Sequence, residues 1–114
     1  MSSAPKLSII LATKNRRQLL PRFFANIREQ IRDAGCSCEL IVIDGGSTDG
    51  AVEIIKQNSD LIAYWISEPD RNCSEAANKG LRQARGEFIK FVGDDDIFWP
   101  GAFKKLIGYL DGHP

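Results

Sequence analysis

Apolar positions along the chain fall into four short runs, with stretches of helical periodicity between and after them. The runs LSIILAT (7–13), ELIVID (39–44), LIAYWIS (61–67) and EFIKFVG (87–93) are rich in β-branched and aromatic residues and have the length of strands. The first three are almost continuously apolar, the pattern of strands buried on both faces. After the first run, Leu19, Leu20, Phe23, Phe24, Ile27 and Ile31 recur at three- and four-residue steps, predicting a helix over 19–34. Pro21 fits that helix only in its first turn, where a missing N–H has no partner to lose. A second helix is predicted over 49–58, using Val52 and Ile55. A third is predicted over 74–85, with Ala77, Gly80, Leu81 and Ala84 on a close-packing face and Gly86 as its stop. The fourth begins at Pro100, a favoured first helical position, and buries Phe103, Leu106, Ile107 and Leu110. Strands alternating with helices at this spacing imply right-handed crossovers. The predicted fold is α/β, a three-layer α/β/α sandwich around a mainly parallel sheet.

Composition narrows the partners. The 114 residues suit one domain, and 43% hydrophobic content supplies one core. Fifteen basic and fifteen acidic residues cancel, so no broad positive field draws nucleic acid or an anionic membrane. Arg16, Arg17, Arg22, Arg28 and Arg32 make the first quarter basic, and at helical spacing they read as a solvated face. No apolar run approaches the ~20 residues of a membrane span. The opening MSSAPKLSIILATKNRR lacks the features of a secretory signal. Three cysteines, an odd number, are expected to be reduced thiols in the cytoplasm, with Cys36 and Cys38 acting as small apolar filler. His113 is expected to be an exposed tail residue.

Candidate chemistry follows from what succeeds each strand, because ligands of open α/β sheets bind at the carboxyl ends of strands. Those segments are Thr13 to Arg16, DGGSTDG (44–50), SEPDRNCSE (67–75) and GDDD (93–96). Asp44 to Ser47 also suits an ordinary turn, Ser47 to Asp49 a helix cap, and Glu68 to Asp70 an exposed loop. The triplet Asp94, Asp95 and Asp96 resists such a reading, since one carboxylate can cap a helix but three cannot. Adjacent carboxylates at the end of a buried strand are best stabilised by a divalent cation. Mg²⁺ or Mn²⁺ takes one or two carboxylates and completes its shell with phosphate oxygens and water, which points to a phosphate-bearing substrate. The first strand is followed by ATKNRR, which matches neither a dinucleotide-binding nor a P-loop pattern.

Four segments in order, SIILATKNR, ELIVIDGGSTDG, ISEPD and EAANKGLRQARGEFIKFVGDDDIFWPGAF, resemble the nucleotide-sugar-binding half of family 2 glycosyltransferases. These are inverting enzymes of the GT-A fold that build bacterial surface polysaccharides. The likeness runs from Leu7 to Leu110. It implies that Thr13 and Asn15 hold the donor's base and ribose, and that Asp44 is the first acid of the family's Asp-Asp-Gly-Ser-Thr-Asp. The second acid of that motif, which often contacts the base, is Gly45 here, so the identity of the base is left open. Asp70 matches a segment flanking the donor pocket, and Lys79 a helix position from which a diphosphate could be met. The family's Asp-x-Asp-Asp stands here as Gly93-Asp94-Asp95-Asp96. Asp95 falls at the metal-binding acid, with Asp94 and Asp96 sharing the metal or contacting ribose. Trp99 and Pro100 match an aromatic-proline pair that opens the next helix.

The resemblance implies a donor that is a UDP-, GDP- or dTDP-sugar, an acceptor that is a glycan or lipid-linked sugar, and membrane association in a longer protein. It also implies that residues 1–114 form a single donor-binding domain ending before the acceptor half. No catalytic base is assigned, because Glu68 and Glu75 lie on the wrong segment. Two other readings stay open on the residues. One is a non-catalytic nucleotide-sugar-binding or interaction module. The other is a metal-dependent nucleotidyl or phosphoryl transferase, although the first loop lacks the glycines such enzymes use. A sheet edge left open by this domain is expected to promote self-association.

Overall fold

The computed structural model describes residues 4–112; Met1 to Ser3 and the expected tail residue His113 lie outside the described residues. Strands β1 (Leu7–Thr13), β2 (Cys38–Asp44), β3 (Ile62–Ser67) and β4 (Phe88–Val92) alternate with helices α1 (Leu20–Asp33), α2 (Ala51–Gln57), α3 (Cys73–Gln83) and α4 (Ala102–Gly112). The strands form one parallel sheet in the order β3-β2-β1-β4. The order follows from crossover handedness. Steps from β1 to β2 to β3 move one way across the sheet, so α1 and α2 lie on one face. The step from β3 back past β1 to β4 moves the other way, so α3 lies on the opposite face. The result is the expected three-layer α/β/α arrangement.

Two cores fill the layers. On one face Leu7, Ile9, Leu11, Leu40 and Val42 pack against Leu20, Phe23, Phe24 and Ile27 of α1, Ala51 and Ile55 of α2, and Phe103 and Ile107 of α4. Each of the large side chains is essentially removed from water, a change of about 1.5–3 kcal/mol apiece. On the other face Ile10, Ile41 and Ile43 meet Ala76 of α3. Helix and sheet approach closely there, since a Cβ at Gly80 would lie 2.5 Å from Ile10 Cγ2. Cys36 and Cys38 pack against the larger core, as expected of filler, and burial pushes the Cys38 thiol up to about 12. Pro21 sits in the first turn of α1, the place its missing N–H allows.

Several expectations need correction. The third strand is at the sheet edge and is not buried on both faces: Ala63 is exposed and the rest of β3 half-buried. Its apolar run reflects packing on the faces, and a run of apolar residues carries no signal of edge or centre. Helix α2 starts at Ala51 because Gly50 takes a left-handed conformation, φ 97°. Helix α3 ends at Gln83, and Ala84 is already extended, so Gly86 does not stop it. Gly86 instead lies against β1, where a Cβ would come 2.6 Å from the Ser8 nitrogen. The packed face of α3 is Ala76 and Gly80; Leu81 is exposed. Pro100 and Gly101 form a turn before α4, and Leu106 and Leu110 are only half-buried.

Candidate functional site

The strand order reverses between β1 and β4, and their carboxyl ends lie side by side, the position at which open α/β sheets bind ligands. Thr13, the buried last residue of β1, donates its hydroxyl to Asp94 Oδ2 at 2.8 Å. Arg16 Nε stands 4.0 Å from the same oxygen. The rest of the triplet is shaped by Gly93. Its N–H donates to Asp96 Oδ2 at 2.7 Å, while the Asp96 N–H donates to the Gly93 carbonyl at 3.1 Å, closing a tight turn. A Cβ at position 93 would lie 2.9 Å from Asp95 Oδ1 and 3.4 Å from Asp96 Oδ2. The absent side chain thus lets two carboxylates fold over the same spot. No helix cap consumes the three acids, and Asp95 and Asp96 remain exposed.

Helix α1 anchors the segment that follows. Asn26 accepts from the Phe98 N–H at 2.7 Å and donates to the Phe98 carbonyl at 3.0 Å. Gln30, 2% exposed, donates to the Trp99 carbonyl at 2.7 Å and accepts from the Phe103 N–H at 3.0 Å. Buried amides of this kind hold a loop because leaving their partners unpaired is costly.

The loop after β2 is organised by Asp44. It is wholly buried, and its carboxylate accepts from the Gly46 and Ser47 N–H groups and from the Ser47 and Ser67 hydroxyls. With four donors engaged and no exposure, Asp44 shapes the loop from beneath and presents no oxygen to the surface. Asn15, in the left-handed region at φ 53°, stitches that loop to the one after β1. Its N–H donates to Ser47 Oγ and its Oδ1 accepts from the Thr48 N–H, each at 2.8 Å. Asp49 adds a further tie, accepting from the Arg17 N–H, and that hydrogen bond is the main reason its carboxyl lies below the usual range.

On the other side, Asp70 and Asn72 lie in the loop between β3 and α3. Asn72 caps α3 by accepting from the Glu75 N–H at 2.9 Å. A cleft of about 340 Å³ runs between this loop and the ends of β1 and β4, and its walls include Thr13, Lys14, Arg16, Asp70, Asn72 and Asp94. Lys79 is placed apart from it. Its ammonium lies 3.2 Å from Glu68, 3.9 Å from Glu75 and 3.4 Å from the Pro69 carbonyl, pinning the loop to α3. A larger depression of about 530 Å³ beside α4, walled by Trp99, Lys105 and Tyr109, holds no carboxylate among its lining residues, unlike the smaller cleft.

The structure therefore brings Thr13, Asp70 and Asp94 into one cleft, folds Asp95 and Asp96 over Gly93, itself a lining residue, and uses Asp44 and Asn15 to build the loops. Arg71, Asn72 and Cys73, which also line the cleft, were not singled out in the sequence. Their only signal was membership of the segment after the third strand. Among the described residues no three Asp, Glu, His or Cys side chains gather into a ready metal cage. The chain instead offers carboxylates over Gly93, which suits an ion that takes one or two from protein and the remainder from phosphate and water.

The model of the family "Glycosyl transferase family 2" matches residues 8–114. An uncharacterized glycosyltransferase of Mycobacterium tuberculosis is 39% identical over 113 residues, covering 98% of this chain and 42% of the relative. The GalNAc(5)-diNAcBac-PP-undecaprenol beta-1,3-glucosyltransferase of Campylobacter jejuni is 36% identical over 112 residues, covering 90% of this chain and 34% of that protein. Among solved structures, the mannosyltransferase PcManGT of Pyrobaculum calidifontis, in complex with GDP-Man and Mn²⁺, superposes with a TM-score of 0.78 at 28% identity, covering 96% of this chain and 32% of that one. The chain thus spans well under half the length of these relatives. The motifs after the four strands, the switch-point cleft and these matches agree, and the chain belongs to glycosyl transferase family 2.

Proposed function

We propose that this chain is the donor-binding part of an inverting glycosyltransferase that uses a nucleoside-diphosphate sugar. The observation that carries the reading is the meeting of Thr13 and Asp94 at the switch point, with the Asp95 and Asp96 carboxylates folded over Gly93 beside it. The Mn²⁺ and GDP-Man of the solved mannosyltransferase support it. Asp95 and Asp96 are the residues that would hold Mg²⁺ or Mn²⁺, which supplies charge neutralisation for a diphosphate leaving group. Asp94, fixed by Thr13, faces the nucleotide, and Arg16 adds positive charge at the same edge. Asp44 and Asn15 act by holding the loops that form the floor. Lys79 keeps the β3–α3 loop in place and reaches a diphosphate only if that loop moves.

In the complete protein an acceptor hydroxyl attacks the anomeric carbon, the bond to the diphosphate oxygen breaks, and the hydroxyl proton passes to a base outside the residues assigned here. The acceptor is a glycan or a lipid-linked sugar. The name of the Campylobacter relative, a glucosyltransferase for an undecaprenol-linked glycan, supports the second. Among the described residues no helix is long and apolar enough to cross a membrane.

The test is calorimetric titration of nucleoside diphosphates with and without Mn²⁺. Asp95→Ala is expected to abolish the Mn²⁺-dependent part of binding while the circular dichroism spectrum is retained, because Asp95 is exposed and makes no hydrogen bond that supports the fold. Mn²⁺-dependent binding that persists unchanged in this variant would remove the assigned metal site.

A further inference from the structure

We propose that Asp70 reads the hydrogen-bonding edge of the donor's nucleobase, and that position 45 lacks a side chain to make room for it; this rests on the donor-binding reading above. Gly45 differs from its neighbours. Gly46 and Gly50 have positive φ angles of 86° and 97°, whereas Gly45 is not among the left-handed glycines. Its missing side chain therefore has a steric reason. A Cβ there would lie 3.1 and 3.3 Å from the two Asp70 carboxylate oxygens and 3.3 Å from Lys14 Cδ. A side chain there would press on the Asp70 carboxylate and displace it by a few tenths of an ångström.

With Asp95 assigned to the metal, Asp70 is the acid in this region whose chemistry is left over. Asp44, Asp94 and Asp96 each accept hydrogen bonds from the protein. Asp70 is half-buried, lines the cleft and carries no hydrogen bond or ion pair among the described residues. A partly desolvated carboxylate without donors is unfavourable until a ligand supplies them. Its place in the sheet says which part of a ligand that is. With the diphosphate at the ends of β4 and β1, the end of β2 is two strand spacings from β4, roughly 10 Å across the sheet. That is about the reach from diphosphate to base in an extended nucleotide.

A carboxylate only accepts hydrogen bonds. Uracil and thymine offer a ring N–H, and guanine offers a ring N–H beside an amino group, a pair that a carboxylate meets with both oxygens. Adenine and cytosine present a bare ring nitrogen beside their amino group, and its lone pair faces the second oxygen. Asp70 thus selects donors whose base carries a ring N–H, which is the chemical class of UDP, GDP and dTDP.

The experiment titrates UDP, GDP, ADP, CDP and inorganic pyrophosphate, each with Mn²⁺, into the chain and into Asp70→Ala and Asp70→Asn. Expected is binding of UDP or GDP at least tenfold tighter than ADP and CDP, within what a hydrogen bond to a charged group contributes. Asp70→Ala is expected to remove that preference and leave pyrophosphate binding unchanged. Asp70→Asn, of the same shape but with a donor in place of one acceptor, is expected to narrow it and serves as the readout if the alanine variant fails to fold. Equal affinity for all four nucleotides, or an unchanged preference in the variants, overturns Asp70 as the reader while the donor site stands. Failure of pyrophosphate and every nucleotide to bind overturns the donor site and this inference with it.

Discussion

At the scale of single residues, the site is built by polar groups that are themselves fully engaged. Asp44 is the clearest case, a buried carboxylate with four donors that turns a Gly-rich segment into a fixed floor. Gln30 does the same for the segment after the triplet, reaching from α1 to Trp99 and Phe103. Gln30→Ala leaves the Phe103 N–H without its partner, while the Phe98 and Trp99 carbonyls keep theirs from Asn26 and the Ala102 N–H. At about 1–3 kcal/mol per orphaned group, the urea midpoint is expected to fall with an unchanged m-value, and nucleotide binding to weaken as the 93–101 segment loosens. A midpoint equal to that of the parent chain would mean that water replaces the amide at no cost. The identities of Asp94, Asp95 and Asp96 as a cluster were legible from their adjacency at the end of an apolar run. Which of them meets Thr13 and which fold over Gly93 was not, because adjacent side chains at a turn diverge by angles that only the backbone sets.

At the scale of elements, α3 is the one whose docking depends most on small residues. Among the described residues it alone covers its face of the sheet, and it does so through Ala76 and Gly80 against Ile10. Gly80→Ala forces a methyl into a 2.5 Å contact and is expected to cost about 1–3 kcal/mol, shifting the β3–α3 loop that carries Asp70. Gly108 in α4 is the internal control, since nothing lies within 4 Å of its added Cβ. Gly108→Ala is expected to stabilise by up to about 1 kcal/mol through helix propensity and unfolded-state entropy. Thermal melts of the two variants should therefore move in opposite directions; a shared direction would refute the packing account. The sequence showed that α3 exists and that it uses small residues. It placed Gly80 and Ala84 on the packed face but chose Leu81 where Ala76 is buried, because Ala, Gly and Leu lie on adjacent stripes and composition does not rank them.

At the scale of the whole molecule, both outer strands have open edges. β4 is the more exposed, with Phe91 at 50% and Ile89 at 40%, and Leu81 of α3 at 42%. Phe91 borders an apolar groove with Ile10 and Ala77. Uncovered edges of this kind pair with other chains, so this chain is expected to self-associate through β4 as concentration rises. Light scattering across a concentration series should show the mass increasing, and Phe91→Lys should suppress the increase by placing a charge on the edge. A constant monomer mass for the parent chain at high concentration would dispose of this expectation.

The sequence by itself determined the number and kind of elements, the parallel α/β/α arrangement and the family, because hydrophobic periodicity and motif order are local properties of the chain. It also marked the four segments that converge, since each must follow a strand. Only the tertiary structure decided which strands lie at the edges, that Asp44 works from beneath the cleft, that Lys79 pins a loop, and that Asp70 occupies the space over Gly45. The decisive ones depend on contacts between distant segments, such as Thr13 with Asp94, 81 positions apart, and Asp70 with Gly45, 25 apart. No local pattern encodes them, because the geometry that brings them together is set by crossover handedness and by how closely helices approach the sheet.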